Sequence, residues 1–285
     1  DDGGKTFFKL HRYFVDGDYC IINRQPTLWR NGFLAERIRR VRGQSGQLNH
    51  ANCKQLNADF DGDEINFHFP QTYEAMAELR ELFSLETNFF NVSRGGSALT
   101  VIQDTIDAVY MLSDPTTFVD RETFTECLMA CRYRHRCHHE ECIPELECLH
   151  DNLCEPHYHN AEDIPRPAKF DDYGQPLWTG LQLLSAIMPP ITYDSHVLRS
   201  MTNNNNNNNS SSSSSSSDRL LIVRGDIVQG KLTDRIISGK DYGIPYFIAK
   251  DLNSVRRALN FMSDLQRLTA TLCAKCKSLS ASTTL

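Results

Sequence analysis

Three aspartates in five residues, Asp59, Asp61 and Asp63 within Asn57-Ala-Asp-Phe-Asp-Gly-Asp-Glu64, carry the strongest chemical signal in the chain. In an extended backbone the side chains at i, i+2 and i+4 point to one side, and Gly62 lets the chain turn tightly enough for the carboxylates to converge. Without a counter-charge such groups repel one another and raise their own pKa values, so a hard divalent cation is their natural partner. All-oxygen ligation by a few carboxylates, completed by water and phosphate oxygens, suits Mg²⁺. A bound Mg²⁺ lowers the pKa of an attacking hydroxyl and shares a transferring phosphate, which is the chemistry of nucleotidyl transfer.

Other readings of the same string are weaker. A helix-loop-helix calcium loop needs glycine at its sixth position and glutamate at its twelfth. Counting from Asp59 puts Gly62 fourth and Pro70 twelfth. A phosphatase of the haloacid-dehalogenase kind sets its Asp-x-Asp after a buried apolar strand, whereas Gln55, Leu56, Asn57 and Ala58 precede Asp59. An acidic surface turn that binds nothing is the plain alternative, and the density of carboxylates beside a glycine argues against it.

The elements that must position this loop can be read from periodicity. Residues 18–70 alternate short apolar runs (YCIIN, the NGFLAERIRRV stretch, INFHF) with turn signals (RQP, GQSGQ), which reads as short strands in a compact β-rich unit. A helix comes next, with Ala75, Leu79, Leu82 and Phe83 on its apolar face after Gln71 and Thr72. LTVIQDTIDAVYML reads as a second helix ending near Asp114 and Pro115, and Arg121 to Ala130 as a third. A proline-marked extended entry leads to a helix opening around Thr179 and stopped by Pro189 and Pro190. LLIVRGDIVQGKL reads as a β-hairpin and SVRRALNFMSDLQRLTATL as a final amphipathic helix. The fold class is therefore α+β, strands first and helices after.

Composition sets the bounds. At 285 residues the chain is long enough for one or two domains. Both ends, DDGGKTFF and SLSASTTL, read as cuts in a longer protein. No apolar run is long enough to span a bilayer, so a soluble, intracellular protein with no membrane partner is expected. A formal charge of −6 argues against a free-standing nucleic-acid binder. Locally, six arginines from Arg24 to Arg42 stand against one acid, Glu36, and this stretch could face a polyanion or simply be a solvated charged face. Cys127 to His159 holds six cysteines and six histidines with little apolar periodicity and reads as an insertion. Zinc could be held there by Cys127 with Cys131, Cys137 with Cys142, or His138 with Cys142, although the cluster lacks a Cys-x2-Cys pair and a disordered insertion is the preferred reading. Cys273 and Cys276 read as a buried structural pair, and the Asn203–Asn209 and Ser210–Ser217 runs as a disordered linker.

The string Asn57 to Glu64 resembles the NADFDGD signature of the largest subunit of multisubunit RNA polymerases, and INFHFPQ (Ile65 to Gln71) resembles the segment C-terminal to that signature in the family. DGDYCIINRQPTL (Asp16 to Leu28), VIQDT (Val101 to Thr105), PLWTG (Pro176 to Gly180) and GDIVQGKL (Gly225 to Leu232) are similar to further family segments in the same order. The resemblance implies that residues 1–70 form part of the active-site double-psi β-barrel. It implies a mainly helical pore and funnel region over 71–202, holding the insertion at 127–159, with a linker at 203–217 and a continuation over 218–285. It makes Asp59, Asp61 and Asp63 the catalytic residues and ligands of Mg²⁺. Arg24 and Asn57 would lie beside the ribose of the incoming nucleotide, with Gln25 and Pro26 shaping that segment. Arg24 offers a forked donor and Asn57 can both donate and accept, which suits those roles. Gln103 and Asp104 stand at a helix start, either lining the nucleotide path or interacting with the helix dipole.

The implied partners are a second-largest subunit, smaller subunits, a DNA template, the RNA transcript and nucleoside triphosphates. The implied location is the nucleus, the nucleolus for a polymerase I type, which the HFPQ ending favours, or a viral factory or virion for a viral homologue. Departures from the family are Trp29, where a histidine is usual, Glu36 near a usual histidine or glycine, and Leu56 in place of a common tyrosine. The competing reading is a catalytically inactive paralogue that serves as a scaffold or assembly module.

Overall fold

The computed structural model describes residues 11–91, 95–101, 103–132, 164–195, 219–238 and 243–282. The chain divides into two compact units, Asp1–Phe89 and Phe90–Leu285. Among the described residues no helix is long and apolar enough to cross a membrane.

The first unit is built on β1 (Tyr19–Asn23), β2 (Phe33–Arg37) and β3 (Asn66–His68), in antiparallel order β2-β1-β3. Alternation decides the faces: Cys20 and Ile22 of β1 are buried, and Ile22 sits opposite both Leu34 and Phe67. Cys20, Ile22, Leu34 and Leu56 make the core, with Ile38, Leu48, Ala58, Ile65 and Leu85 packed around it. Leu56 comes from α1 (Cys53–Leu56), a single turn entered through a 3-10 turn at His50–Asn52. The expected helix after Thr72 is α2 (Tyr73–Leu82), opened by the Thr72 hydroxyl accepting from Ala75 N at 3.2 Å. It belongs to this unit, because Ala35 N of β2 donates to Phe83 O at 2.9 Å just beyond its end. Leu79 is its buried anchor, whereas Leu82, expected on the same face, is 47% exposed.

The second unit is mostly helical. Its helices are α3 (Asp104–Leu112), α4 (Arg121–Arg132), α5 (Gly180–Ser185), α6 (Asp234–Ile237), α7 (Ile244–Asp251) and α8 (Val255–Ser282). Phe124, Cys127, Leu128 and Cys131 of α4 and Ala258, Phe261, Met262, Leu265 and Leu268 of α8 are buried at helical spacing, and the two helices pack along these faces. Two small antiparallel sheets complete the unit. One is β4 (Phe118–Asp120), β6 (Pro176–Thr179) and β5 (Lys169–Phe170); the other is β7 (Tyr193–Asp194), β8 (Leu221–Val223) and β9 (Asp226–Gln229). β8 and β9 are the expected hairpin, turning through Arg224 and Gly225, both at positive φ as a two-residue hairpin loop requires.

The mixture of helices and small antiparallel sheets is that of an α+β protein. The described residues form open three-stranded sheets and no closed barrel. The second expected helix begins at Asp104 rather than in the apolar LTVI run, because Gln103 adopts positive φ and Leu99 and Val101 are buried ahead of it. The helix opening at Thr179 has the expected start, a reciprocal Thr179–Gln182 capping box, but ends at Ser185, before the prolines.

Cys127–Arg132, the first residues of the expected insertion, are the last residues of α4, and residues 133–159 lie outside the described set. The thiols of Cys127 and Cys131 approach the carbonyls of Leu268 (3.9 Å) and Asp264 (3.3 Å) in the helix packing, and burial pushes the Cys131 thiol up to about 12. Both thiols are thus engaged in the contact between α4 and α8. Cys137, His138 and Cys142 lie outside the described residues, as does the Asn/Ser run. Cys273 is half-buried on α8, and the side chain of Cys276 falls outside the described set.

Candidate metal centre

The aspartate loop leaves α1 at Asn57, which takes a left-handed conformation (φ 48°, ψ 46°), with its own N–H and that of Ala58 closing back on the helix. The loop then bends through Phe60, Asp61 and Gly62, with Gly62 at φ +121°, before β3 begins at Asn66. Convergence of the carboxylates thus comes from a bend at glycine, not from the side-chain alternation of an extended strand. One carboxylate oxygen from each of Asp59, Asp61 and Asp63 lies within 4.8 Å of the others. Among the described residues this is the one such group of three potential ligands. Asp59 and Asp61 are exposed and Asp63 is half-buried.

Asp63 is the anchored member. Arg24, just past β1, donates from Nε to Oδ2 at 2.6 Å and from Nη2 to Oδ1 at 3.0 Å, and Asp59 N donates to Oδ2 at 3.0 Å. The Arg24 fork holds the Asp63 carboxyl below its usual range, and Asp63 in turn raises the guanidinium. Asp59 moves the other way. A hydrogen bond shared with Asp61, then partial loss of hydration and the charges of Asp61 and Asp63, raise its carboxyl. An anchored carboxylate beside two that crowd each other is a donor set short of positive charge. Oxygens about 2.1 Å from one Mg²⁺ must lie within about 4.2 Å of each other, so a small side-chain closure brings these three into coordination. Asp63 Oδ1 accepts one of the Arg24 bonds and keeps a second lone pair for a metal.

The other residues expected at the site are close in sequence to these anchors. Asn57, Gln25 and Pro26 are exposed, and the Gln25–Pro26 peptide is cis. Arg24 faces Asp63 with Nε and Nη2, leaving Nη1 and one Nη2 proton for another acceptor. Of the remaining arginines in the basic stretch, Arg37 bonds Tyr19 Oη at 3.0 Å and Arg40 bonds Asp16 at 3.3 Å, so the stretch is not a uniform cationic face. Gln103 is the residue ahead of α3 and Asp104 its first residue, both exposed and in the second unit.

Two supporting residues escape a sequence reading. Asn23, 2% exposed at the end of β1, donates from Nδ2 to Thr27 Oγ1 (2.6 Å) and Gly32 O (3.0 Å), bracing the loop that carries Arg24. Asn52, buried at the start of α1, donates to Glu36 Oε1 at 2.9 Å. A polar residue ending an apolar strand is the one signal in the sequence that points to Asn23.

A β-rich unit presenting clustered carboxylates ahead of a helical unit is matched by two family models. RNA polymerase Rpb1, domain 2, matches residues 4–85, and RNA polymerase Rpb1, domain 3, matches residues 88–282. The junction between the two matches lies within a few residues of the structural division at Phe89 and Phe90. The chain belongs to this family, that of the largest subunits of multisubunit RNA polymerases.

Among individual proteins, it is 29% identical over 269 residues to DNA-directed RNA polymerase III subunit RPC1 of Saccharomyces cerevisiae, covering 92% of this chain and 16% of the relative. It is 38% identical over 128 residues to DNA-directed RNA polymerase I subunit 1 of Arabidopsis thaliana (45% and 8%). It is 42% identical over 115 residues to DNA-directed RNA polymerase subunit Rpo1N of Sulfolobus acidocaldarius (40% and 13%). The similarity is thus not confined to polymerase I, and the chain spans at most about a sixth of the length of these relatives.

Proposed function

We propose that this chain contributes the catalytic metal loop of a DNA-directed RNA polymerase. The observation that carries the reading is the cluster of Asp59, Asp61 and Asp63 within 4.8 Å, anchored at Asp63 by the Arg24 fork, in a chain of this family. In the reaction the 3′-hydroxyl oxygen of RNA bonds to the α-phosphorus of a nucleoside triphosphate and pyrophosphate leaves. Mg²⁺ held by the three aspartates supplies neutralisation of phosphate charge and a more acidic hydroxyl. Arg24 keeps Asp63 oriented and offers its remaining donors to ribose or phosphate oxygens, while the exposed Asn57 amide both donates to and accepts from a ribose hydroxyl. Gln25 and Pro26 shape the wall beside Arg24.

On this reading the sheet β2-β1-β3 is part of a double-psi β-barrel completed by strands outside the segment, and the second unit lines the pore and funnel for nucleotides. The second-largest subunit, smaller subunits, template DNA and the transcript complete the working enzyme. It acts in the nucleus, as relatives named for polymerases I and III favour.

The test is Mg²⁺-dependent RNA extension on a primed DNA template by the complex purified through this subunit, wild type beside Asp59→Ala and Asp61→Ala. Loss of about a thousandfold or more in rate with assembly intact is expected, the size of a lost metal contribution of several kcal/mol. Retained extension in Asp61→Ala, or no extension by a complete wild-type complex, would reject the reading and favour a scaffold or assembly module.

A further inference from the structure

The single turn α1 delivers the backbone into the aspartate loop, and it is too short to hold itself. The carbonyls ending a helix have no partner within it and must be answered from elsewhere. The N–H groups of Asn57 and Ala58 return to Cys53 and Lys54. The carbonyl of Gln55 receives the indole N–H of Trp29, at 2.7 Å. This donor comes from a different loop, 26 residues earlier in the chain.

Although Trp29 is 45% exposed, its ring has a defined seat. A Cβ placed on Gly32 would stand 3.5 Å from Trp29 Cδ1, 3.8 Å from Nε1 and 3.1 Å from Thr27 Cγ2, so the ring lies close over a position without a side chain. Both walls of that seat are fixed by one buried amide, since Asn23 donates to the Thr27 hydroxyl and to the Gly32 carbonyl. The same loop carries Arg24. It therefore grips the metal loop at two points: Asp63 at the far end through Arg24, and Gln55, four residues before Asp59, through Trp29.

We propose that Trp29 is a positioning residue of the metal loop, its indole N–H pinning the Gln55 carbonyl and so holding the left-handed turn at Asn57 from which Asp59 and Asp61 are presented. This rests on the metal-loop reading above. Asp63 is fixed directly by Arg24, but Asp59 and Asp61 are exposed and depend on where α1 ends. When the pin is lost, the carboxylates spread over more positions and the cation must order them as it binds. Metal capture then weakens, while the saturated site, once assembled, works as before.

The test uses the assembled polymerase carrying Trp29→Phe, which keeps a ring and removes the N–H, Trp29→His, which keeps a ring N–H, and Asp61→Ala. The readouts are the Mg²⁺ concentration for half-maximal extension, the rate at saturating Mg²⁺, and Mn²⁺ binding measured by electron paramagnetic resonance, with Asp61→Ala as the background. Trp29→Phe is expected to raise both metal midpoints about three- to tenfold, the size of one lost hydrogen bond, with the saturated rate unchanged. Trp29→His is expected to return them toward wild type.

A role in stability alone would lower the yield of complex without moving the midpoints. Wild-type midpoints in Trp29→Phe beside an inactive Asp61→Ala would overturn the pin and leave the metal loop standing. An active Asp61→Ala would overturn both. Should Trp29→Phe fail to assemble, Trp29→Leu, which also lacks the N–H, decides: raised midpoints in an assembled complex support the pin, and wild-type midpoints overturn it.

Discussion

The two units are held together by different physics. In the second, α4 and α8 bury Phe124, Leu128, Phe261, Leu265 and Leu268 against one another, and Phe124 stacks on Trp178 with ring centroids 5.0 Å apart. In the first, a small apolar core behind the sheet carries an exposed loop whose shape depends on polar ties: Asn23 to Thr27 and Gly32, Asn52 to Glu36, Trp29 to Gln55, Arg24 to Asp63. Apolar burial is non-directional and supplies stability, whereas hydrogen bonds contribute less net energy but fix direction. A scaffold can rely on the first. A loop that must hold three like charges in register needs the second.

The sharpest way to break that contrast is to remove a large apolar group from the helical unit. Phe124→Ala, at a residue 1% exposed, is expected to cost about 3–5 kcal/mol, from lost transfer energy and the cavity left beside Trp178. Thermal or urea unfolding of the chain would read it. A loss under about 1 kcal/mol would mean that the helical unit collapses around the gap and is not packed as tightly as its burial implies.

How much of this contrast was legible in the sequence divides along the same line. Periodicity reports burial, so YCIIN with its buried Cys20 and Ile22, the hairpin around Arg224-Gly225 and the apolar stripe of α8 could all be read from residue order. The carboxylate cluster was legible for another reason, since three aspartates within five residues, with a glycine among them to bend the chain, lie near one another by covalent proximity. The ties were not legible. Arg24 and Asp63 are 39 residues apart, and a guanidinium fits a carboxylate or a phosphate equally well on paper. The CKQL turn has no periodicity to announce a helix, and its placement rests on Asn52 and Trp29 from either side. The misplaced start of α3 has the same origin, because positive φ at Gln103 overrides an apolar pattern that would otherwise continue.

Glu36 sharpens the comparison through pH. It lies on β2 opposite Cys20, and burial pushes its carboxyl up to about 7, against the Asn52 hydrogen bond that pulls the other way. The unfolded chain ionises this group near its ordinary 4.5, whereas the folded chain keeps it protonated until about 7. The folded state therefore holds the extra proton in that window. Stability is fullest below the lower value and falls as pH rises, by at most about 3 kcal/mol. Glu36→Gln should flatten the slope between pH 4.5 and 7 in unfolding measurements across that range. A slope unchanged by the substitution would show that the first unit does not store its polar strain at Glu36.

The smallest expected effect probes whether every polar group in the first unit serves the loop. Gln55 is 1% exposed, and among the described residues neither its Nε2 nor its Oε1 has a hydrogen-bond partner, although its backbone carbonyl takes the Trp29 bond. A buried amide without partners opposes folding, while a thioether of similar length meets the same surroundings at no such cost. Gln55→Met should accordingly leave stability unchanged or raise it by about 1 kcal/mol, a rise of a few degrees in the melting midpoint. Because the backbone carbonyl is untouched, metal-dependent extension by the assembled complex should keep its wild-type Mg²⁺ midpoint. If instead the substitution destabilises the chain and shifts that midpoint together, the amide itself is one of the ties, and the first unit relies on side-chain as well as main-chain contacts at the end of α1.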